Sequence, residues 1–136
     1  MKAKSAEVSF HVHLTEDRGK VDSALKELLG VEAPNSVTLY GHNGNMIVEG
    51  RAALGQPEAD RLLERVLKGL GPADRARLLG QLGMHIDERG TLFIRLDKQG
   101  LVVGRLQLGE RDPVRLRFKL EGKGDDAMEL VRGFLE

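Results

Sequence analysis

The sequence predicts an α+β domain of two layers, a mostly antiparallel sheet with helices packed on one face. The predicted order is β-α-β-β-α-α-β-β-β-β-α. Three observations lead there. Several segments alternate apolar and polar residues with a period of two, as strands with one solvated face do. Between them lie stretches with apolar residues at i, i+3, i+4 and i+7, the stripe of a helix that buries one face. The chain has 136 residues, the size of one domain, and lacks a linker or repeat that would divide it. The domain is read as residues 1–136, with residues 1–6 expected to be disordered.

Glu7 to Leu14 is the first strand, with Val8, Phe10, Val12 and Leu14 on one face and Glu7, Ser9, His11 and His13 on the other. Thr15 then caps a helix whose acidic first turn, Glu16 and Asp17, suits the positive end of the helix dipole. Its stripe is Val21, Ala24, Leu25, Leu28 and Leu29, and Gly30 stops it. Ser36 to Tyr40 is a strand, Asn43-Gly44 a hairpin turn, and Met46 begins the return strand. Pro57 opens a helix with Ala59, Leu62, Leu63, Val66, Leu67 and Leu70 along one side. Gly71-Pro72 ends it and starts another, with Leu78, Leu79 and Leu82 as its core residues. Met84–Glu88 and Thr91–Asp97 are read as a hairpin around Arg89-Gly90. Lys98 to Gly104 is read as a connection and Arg105–Leu108 as a short strand. Val114–Leu120 alternates without a break, with Arg115, Arg117 and Lys119 outward. Asp125 caps a last helix with Ala127, Leu130, Val131, Phe134 and Leu135 toward the core.

Composition removes several functions. Without cysteine the chain has no disulfide framework, thiolate nucleophile, iron–sulfur cluster or cysteine zinc site. The first residues lack the apolar segment of a leader, and no apolar run approaches the roughly 20 residues of a membrane span, so a cytoplasmic protein with no membrane partner is expected. HExxH, GxSxG and the GK[ST] phosphate loop are absent. No nucleophile is paired with a base, so no catalytic residue is assigned and no cofactor is expected.

The 21 basic and 21 acidic side chains cancel, which excludes a globally basic protein. The cancellation is uneven. Residues 89–123 hold nine cations (Arg89, Arg95, Lys98, Arg105, Arg111, Arg115, Arg117, Lys119, Lys123) and four anions (Asp97, Glu110, Asp112, Glu121), a net +5. The alternation sets Arg95, Arg105, Arg115, Arg117 and Lys119 away from the apolar face. Neighbouring strands would gather them into a basic patch, with His11, His13, Tyr40 and Phe93 interleaved. Cations neutralise phosphates and release counterions, and aromatic faces stack on bases. The competing reading is the ordinary solvated side of an antiparallel sheet.

Two other constellations carry chemistry. His11 and His13 stand about 7 Å apart on one strand face. With Glu16 or Asp17 they have the makings of a metal site, against the simpler reading of exposed strand histidines; no metal ligand is assigned. Gly41-His42-Asn43-Gly44-Asn45 is a polar glycine-rich loop whose amides, His42, Asn43 and Asn45 suit a phosphate or ribose hydroxyl. Asp97-Lys98-Gln99 sets three hydrogen-bonding side chains in a row at a strand end.

Three segments in order resemble an archaeal RNA-binding family. They are His11-Val12-His13-Leu14-Thr15-Glu16-Asp17 with Lys20-Val21 and Ala24-Leu25; Gly41-His42-Asn43-Gly44-Asn45-Met46-Ile47; and Arg95-Leu96-Asp97-Lys98-Gln99 followed by Gly104, Leu106, Leu108 and Asp112. The resemblance spans residues 7–120. The family is described as a predicted exosome subunit or exosome-associated protein, and its fold is likened to double-stranded-RNA-binding domains and to a ribosomal protein. The resemblance implies an α+β RNA-binding domain working beside RNA-processing or ribosomal machinery. It points at the quoted residues, including Gln99. Where the family has a small alanine after that glutamine, this chain has Gly100.

The expectation is therefore a non-enzymatic RNA-binding protein using the open sheet face and the 41–45 loop. Arg95, Lys98, Arg105, Arg115, Arg117 and Lys119 would take phosphates, and Tyr40 and Phe93 would stack on bases. One rival is an interaction module or homodimer using the same face without RNA. Another is a metal-dependent hydrolase built on His11, His13 and Asp97.

Overall fold

Alternating segments make the five strands of the computed structural model, which describes residues 2–13, 18–30, 36–42 and 45–136. The strands are β1 (Ala3–His13), β2 (Ser36–His42), β3 (Asn45–Leu54), β4 (Thr91–Leu96) and β5 (Val114–Leu120). They form one sheet in the order β2-β3-β1-β5-β4, with every neighbouring pair antiparallel. The helices are α1 (Arg18–Ala24), α2 (Glu58–Gly69), α3 (Pro72–Gly80), α4 (Leu82–His85), α5 (Lys98–Val102) and α6 (Asp125–Leu135). A π-helical turn, Leu25–Leu29, prolongs α1 and ends at Gly30, whose φ of 69° suits a residue without a Cβ.

The apolar sides of β1, β4 and β5 meet the stripes of α2 and α6. Val8, Phe10, Leu116, Phe118, Leu63 and Val66 are all buried there. The α2 stripe read from the sequence, from Ala59 to Leu67 and on to Leu70 just past the helix, is buried; of the α6 stripe Ala127, Val131 and Leu135 are buried, while Leu130 and Phe134 are partly buried. On β5 burial alternates residue by residue, as the sequence predicts. Phe10 pairs with Gly50 across β1 and β3, and a Cβ at Gly50 would stand 2.5 Å from the Phe10 ring. A bare backbone there lets the ring lie flat on the sheet.

Four expectations are corrected. First, residues 3–6 belong to a strand. β1 starts at Ala3, and Ala3 and Ala6 are buried. Asp60 Oδ1 of α2 accepts from the Lys2 and Ala3 N–H groups at 2.6 and 3.1 Å, and Gln56 Nε2 donates to the Ala3 carbonyl at 2.8 Å. Second, Met84–Glu88 is not a strand. Its start lies in α4, and only a single bridge, Ile86 to Leu92, remains of the expected hairpin. Burial of Leu82 favours the helical turn, while Asp87 Oδ1 accepts from the Arg89 and Thr91 N–H groups and closes the loop locally. Third, Lys98–Gly104 is not a plain connection: it contains α5, which buries Leu101. Fourth, Arg105–Leu108 makes only one bridge, Leu96 to Leu108. The order is thus β-α-β-β-α-α-α-β-α-β-α. The predicted cap Thr15 and turn Asn43-Gly44 lie outside the described residues, though His42 and Asn45, which flank that turn, pair with each other.

The tie at Asp60 makes stability depend on pH. Burial pushes its carboxyl up, but the Lys2 and Ala3 N–H groups outweigh this and hold it below its ordinary value. A depressed carboxylate stabilises the fold above its unfolded pKa of about 4 and loses that contribution as pH falls through the folded value. Asp60→Ala is expected to lower stability by about 1 kcal/mol at pH 7. In urea melts the gap from wild type should close as the pH drops below the ordinary carboxylate range. A gap independent of pH would contradict this assignment.

Candidate nucleic-acid interface

The strand order decides which outward side chains meet. On the open face Arg95 of β4 stands directly opposite Arg115 of β5, and Phe93 opposite Arg117. Across β5, Arg115 faces Ser9, Arg117 faces Glu7 and Lys119 faces Ser5 of β1. Arg51 of β3 stands opposite Ser9. Phe93, Arg95, Arg115, Arg117 and Lys119 are exposed, because the intervening residues of both strands fill the core.

The cations of this face differ in how they are engaged. Arg51 lies between Glu49, 2.7 Å away, and Glu7, 3.3 Å away. That Arg51 hydrogen bond holds the Glu49 carboxyl below its ordinary value; burial opposes the shift and His11, 3.3 Å away, adds to it. Among the described residues, Arg95, Arg115, Arg117 and Lys119 have no acidic partner within 4 Å. Like charges placed directly opposite in a sheet destabilise it, so the Arg95–Arg115 pair is a small standing cost to the fold. An anion lying across the pair would relieve it.

Beside β4 the face becomes a groove of about 650 Å³. Its floor includes Phe93, Arg95, Arg115 and Arg117, and its wall includes Gln81, Met84 and His85 from the end of α3 and α4. Met84 is 82% exposed and Phe93 43%, two of the three large apolar side chains left open among the described residues. His85 Nδ1 lies 3.0 Å from the Phe93 carbonyl. A carbonyl only accepts, so Nδ1 carries the proton and Nε2 of the neutral ring is an acceptor. The far side is closed by residues 108–110. Asp97 N–H donates to the Gln107 carbonyl and Gly109 N–H to the Arg95 carbonyl, which fastens this segment to the β4 edge. Asp74 Oδ2 of α3 accepts from the Leu108 N–H at 3.0 Å, and Arg77 pairs with Glu110 at 3.5 Å. A Cβ at Gly109 would stand 2.8 Å from the Asp97 Cα, so the approach requires glycine.

The predicted residues divide into groups. Phe93, Arg95, Arg115, Arg117 and Lys119 come together on the open face. His11 joins that side at the β1 position opposite Glu49. Lys98 is a correction: it is 1% exposed, with Nζ bound to the His11 carbonyl at 2.6 Å and to Asp112 at 2.5 Å, so it is held inside the fold and does not join the cations of the open face. Arg105 is a second correction. It is exposed but lies after α5, and its neighbour Leu106 packs on α2 at Gly69, in the helical layer. Gln99 is exposed on α5, and Asp97 accepts from Gln107 Nε2 at 2.8 Å. For His13, Tyr40, His42 and Asn45 the backbone register is described but the side chains are not, with His13 and Tyr40 both in register with Ile47. Asn43, Glu16 and Asp17 lie outside the described residues. No group of three metal-ligating side chains occurs among the described residues, and no described helix is long and apolar enough to cross a membrane. The sequence reading missed Arg51, Gln81, Met84 and His85. Met84 and His85 were hidden because their segment reads as part of a strand.

Comparison with known proteins follows the same lines. A family model described as RNA binding matches residues 5–120. An RNA-binding protein of Pyrococcus abyssi is 30% identical over 147 residues, covering 100% of this chain and 96% of that one. A DUF54 protein from Methanothermobacter thermautotrophicus superposes with a TM-score of 0.82 at 27% identity, covering 100% of both chains. A DUF54-family protein from Sulfolobus solfataricus gives 0.74 at 25% identity, covering 95% of this chain and 98% of that one.

Proposed function

The chain belongs to this RNA-binding family, and from that membership we propose that it binds RNA on the open sheet face, without catalysing a reaction on it. The observation that carries the reading is the row of cations Arg95, Arg115, Arg117 and Lys119, held on two adjacent strands and without an acidic partner among the described residues. Their separation is fixed by the sheet, so little order is lost when a phosphate backbone settles across them. The net charge of zero keeps attraction local: one face draws phosphate while the remainder does not. The 41–45 loop, with His42, Asn43 and Asn45, is the proposed second contact. RNA-processing machinery such as the exosome, or the ribosome, is the proposed setting, in the cytoplasm.

Four phosphate contacts set the salt dependence. Each contributes about −0.7 to the slope of log affinity against log salt on a single strand, and about −0.9 on a duplex, giving roughly −3 to −3.5. Fluorescence anisotropy of a labelled RNA across a salt series measures this directly. No binding at low salt, or a slope near zero, overturns the reading. A protein that dimerises through this face, seen by light scattering, and ignores RNA supports the interaction-module alternative instead.

A further inference from the structure

The groove beside β4 carries more than charge, and it rests on the RNA reading above while naming which RNA. A bare basic sheet would accept a duplex as readily as a single strand, since both present phosphates. This face instead sinks into a groove within the roughly 300–1,000 Å³ typical of small-ligand sites. An exposed phenylalanine lies in its floor and an exposed methionine in its wall. Large apolar side chains left in water beside unpartnered arginines suit a ligand that is flat and apolar on its faces and anionic at its ends. An unstacked nucleotide has that form, whereas bases within a duplex keep their faces covered.

We propose that the groove is a base pocket for single-stranded RNA: one unpaired base stacks on Phe93 and is flanked by the Met84–His85 wall, while the adjoining phosphates meet Arg95, Arg115 and Arg117. The cross-strand register supports this division of labour. Phe93 is opposite Arg117 and one step from the Arg95–Arg115 pair, so ring and cations are a residue or two apart. His85 adds a direction. Its Nδ1–H is committed to the Phe93 carbonyl, leaving Nε2 to accept from a base amino group or a ribose 2′-hydroxyl. None of these groups reads a duplex from its phosphate side.

The test compares a labelled ten-nucleotide single-stranded RNA with a duplex of the same sequence, using wild type, Phe93→Ala, Phe93→Trp and the charge reversal Arg115→Glu/Arg117→Glu. Phe93 points away from the core, so its replacement leaves the fold intact, which circular dichroism verifies. Phe93→Ala is expected to weaken single-strand binding by about 5- to 150-fold, the loss of one stacked base, and to leave duplex binding within about twofold. Phe93→Trp should restore single-strand affinity. A 2-aminopurine base in the probe should change fluorescence on binding wild type but not Phe93→Ala. If the charge reversal abolishes binding while Phe93→Ala weakens neither RNA, or weakens both equally, the base pocket is wrong and the phosphate reading stands. If the charge reversal has no effect on either RNA, the phosphate reading itself fails. If Phe93→Ala dissociates a dimer and leaves RNA affinity unchanged, the apolar pair belongs to a self-association surface, which also overturns the pocket.

Discussion

Replacing Arg115 and Arg117 together by glutamate is expected to weaken RNA binding by at least about 100-fold near 0.1 M salt. Each arginine supplies a charge-assisted hydrogen bond worth about 1.5 kcal/mol or more, and two of them multiply to that factor. Reversal goes further than removal, because the new carboxylates repel the phosphates that remain in reach of Arg95 and Lys119. The slope of log affinity against log salt should fall in magnitude by about two, one for each phosphate no longer neutralised. Stability should hardly change. Arg115 stands opposite Arg95, so a glutamate there turns a like-charge pair into an opposite-charge one, while a glutamate at 117 faces Glu7, and the two changes offset each other. A variant equally weak at all salt concentrations, or one that binds as tightly as wild type, would show that phosphates lie elsewhere. Arg105→Glu is the matched control. It changes the net charge by the same amount per site but lies outside the open face, so a much smaller effect is expected.

How far this interface was legible in the sequence depends on what each residue's placement requires. Val114–Leu120 could be read in full, because a two-residue period with four apolar positions leaves one buried solution, and it fixed Arg115, Arg117 and Lys119 as outward. The stripes of α2 and α6 were equally plain. That Arg95 lies opposite Arg115 was not legible, since periodicity says which way a side chain points but not which strand is its neighbour. Arg105 and Lys98 failed for related reasons. Arg105 alternates with Leu106 and Leu108 as a strand residue would, but its segment makes only one bridge. Lys98 looks exposed by residue type, and its burial depends on Asp112, fourteen residues away in sequence, and on the His11 carbonyl from another strand. The groove wall was hidden because five residues, Met84 to Glu88, are too few to separate a half-turn of helix from a strand.

Lys98 is also the source of the largest expected effect on stability. Its ammonium is buried and ties β1, through the His11 carbonyl, to Asp112 at the entrance of β5. Removing a negative charge beside a buried cation costs the fold more than removing the cation beside a half-exposed carboxylate, which turns to water. The Asp112 side chain is 39% exposed against 1% for Lys98, so the two removals should not be equal. Asp112→Asn is expected to destabilise by about 2–3 kcal/mol, the loss of a charge-assisted hydrogen bond to a buried ammonium, and Lys98→Met by about 1–2 kcal/mol, since methionine also fills much of the lysine stem. Asparagine suits the test for a second reason: Asp112 has φ of 47°, and Asn is among the few residues at ease in that region. The double variant removes both charges and should be less destabilised than the sum of the single changes, by about 1 kcal/mol or more. Urea denaturation of the four proteins measures the cycle. Additive effects, or an Asp112→Asn loss below about 1 kcal/mol, would mean that the pair does not hold the strands together. The same Lys98→Met protein, assayed folded, should keep wild-type RNA affinity and salt slope. A slope reduced by about one would return Lys98 to the phosphate-binding cations, because only a cation that meets the RNA in the complex contributes to counterion release.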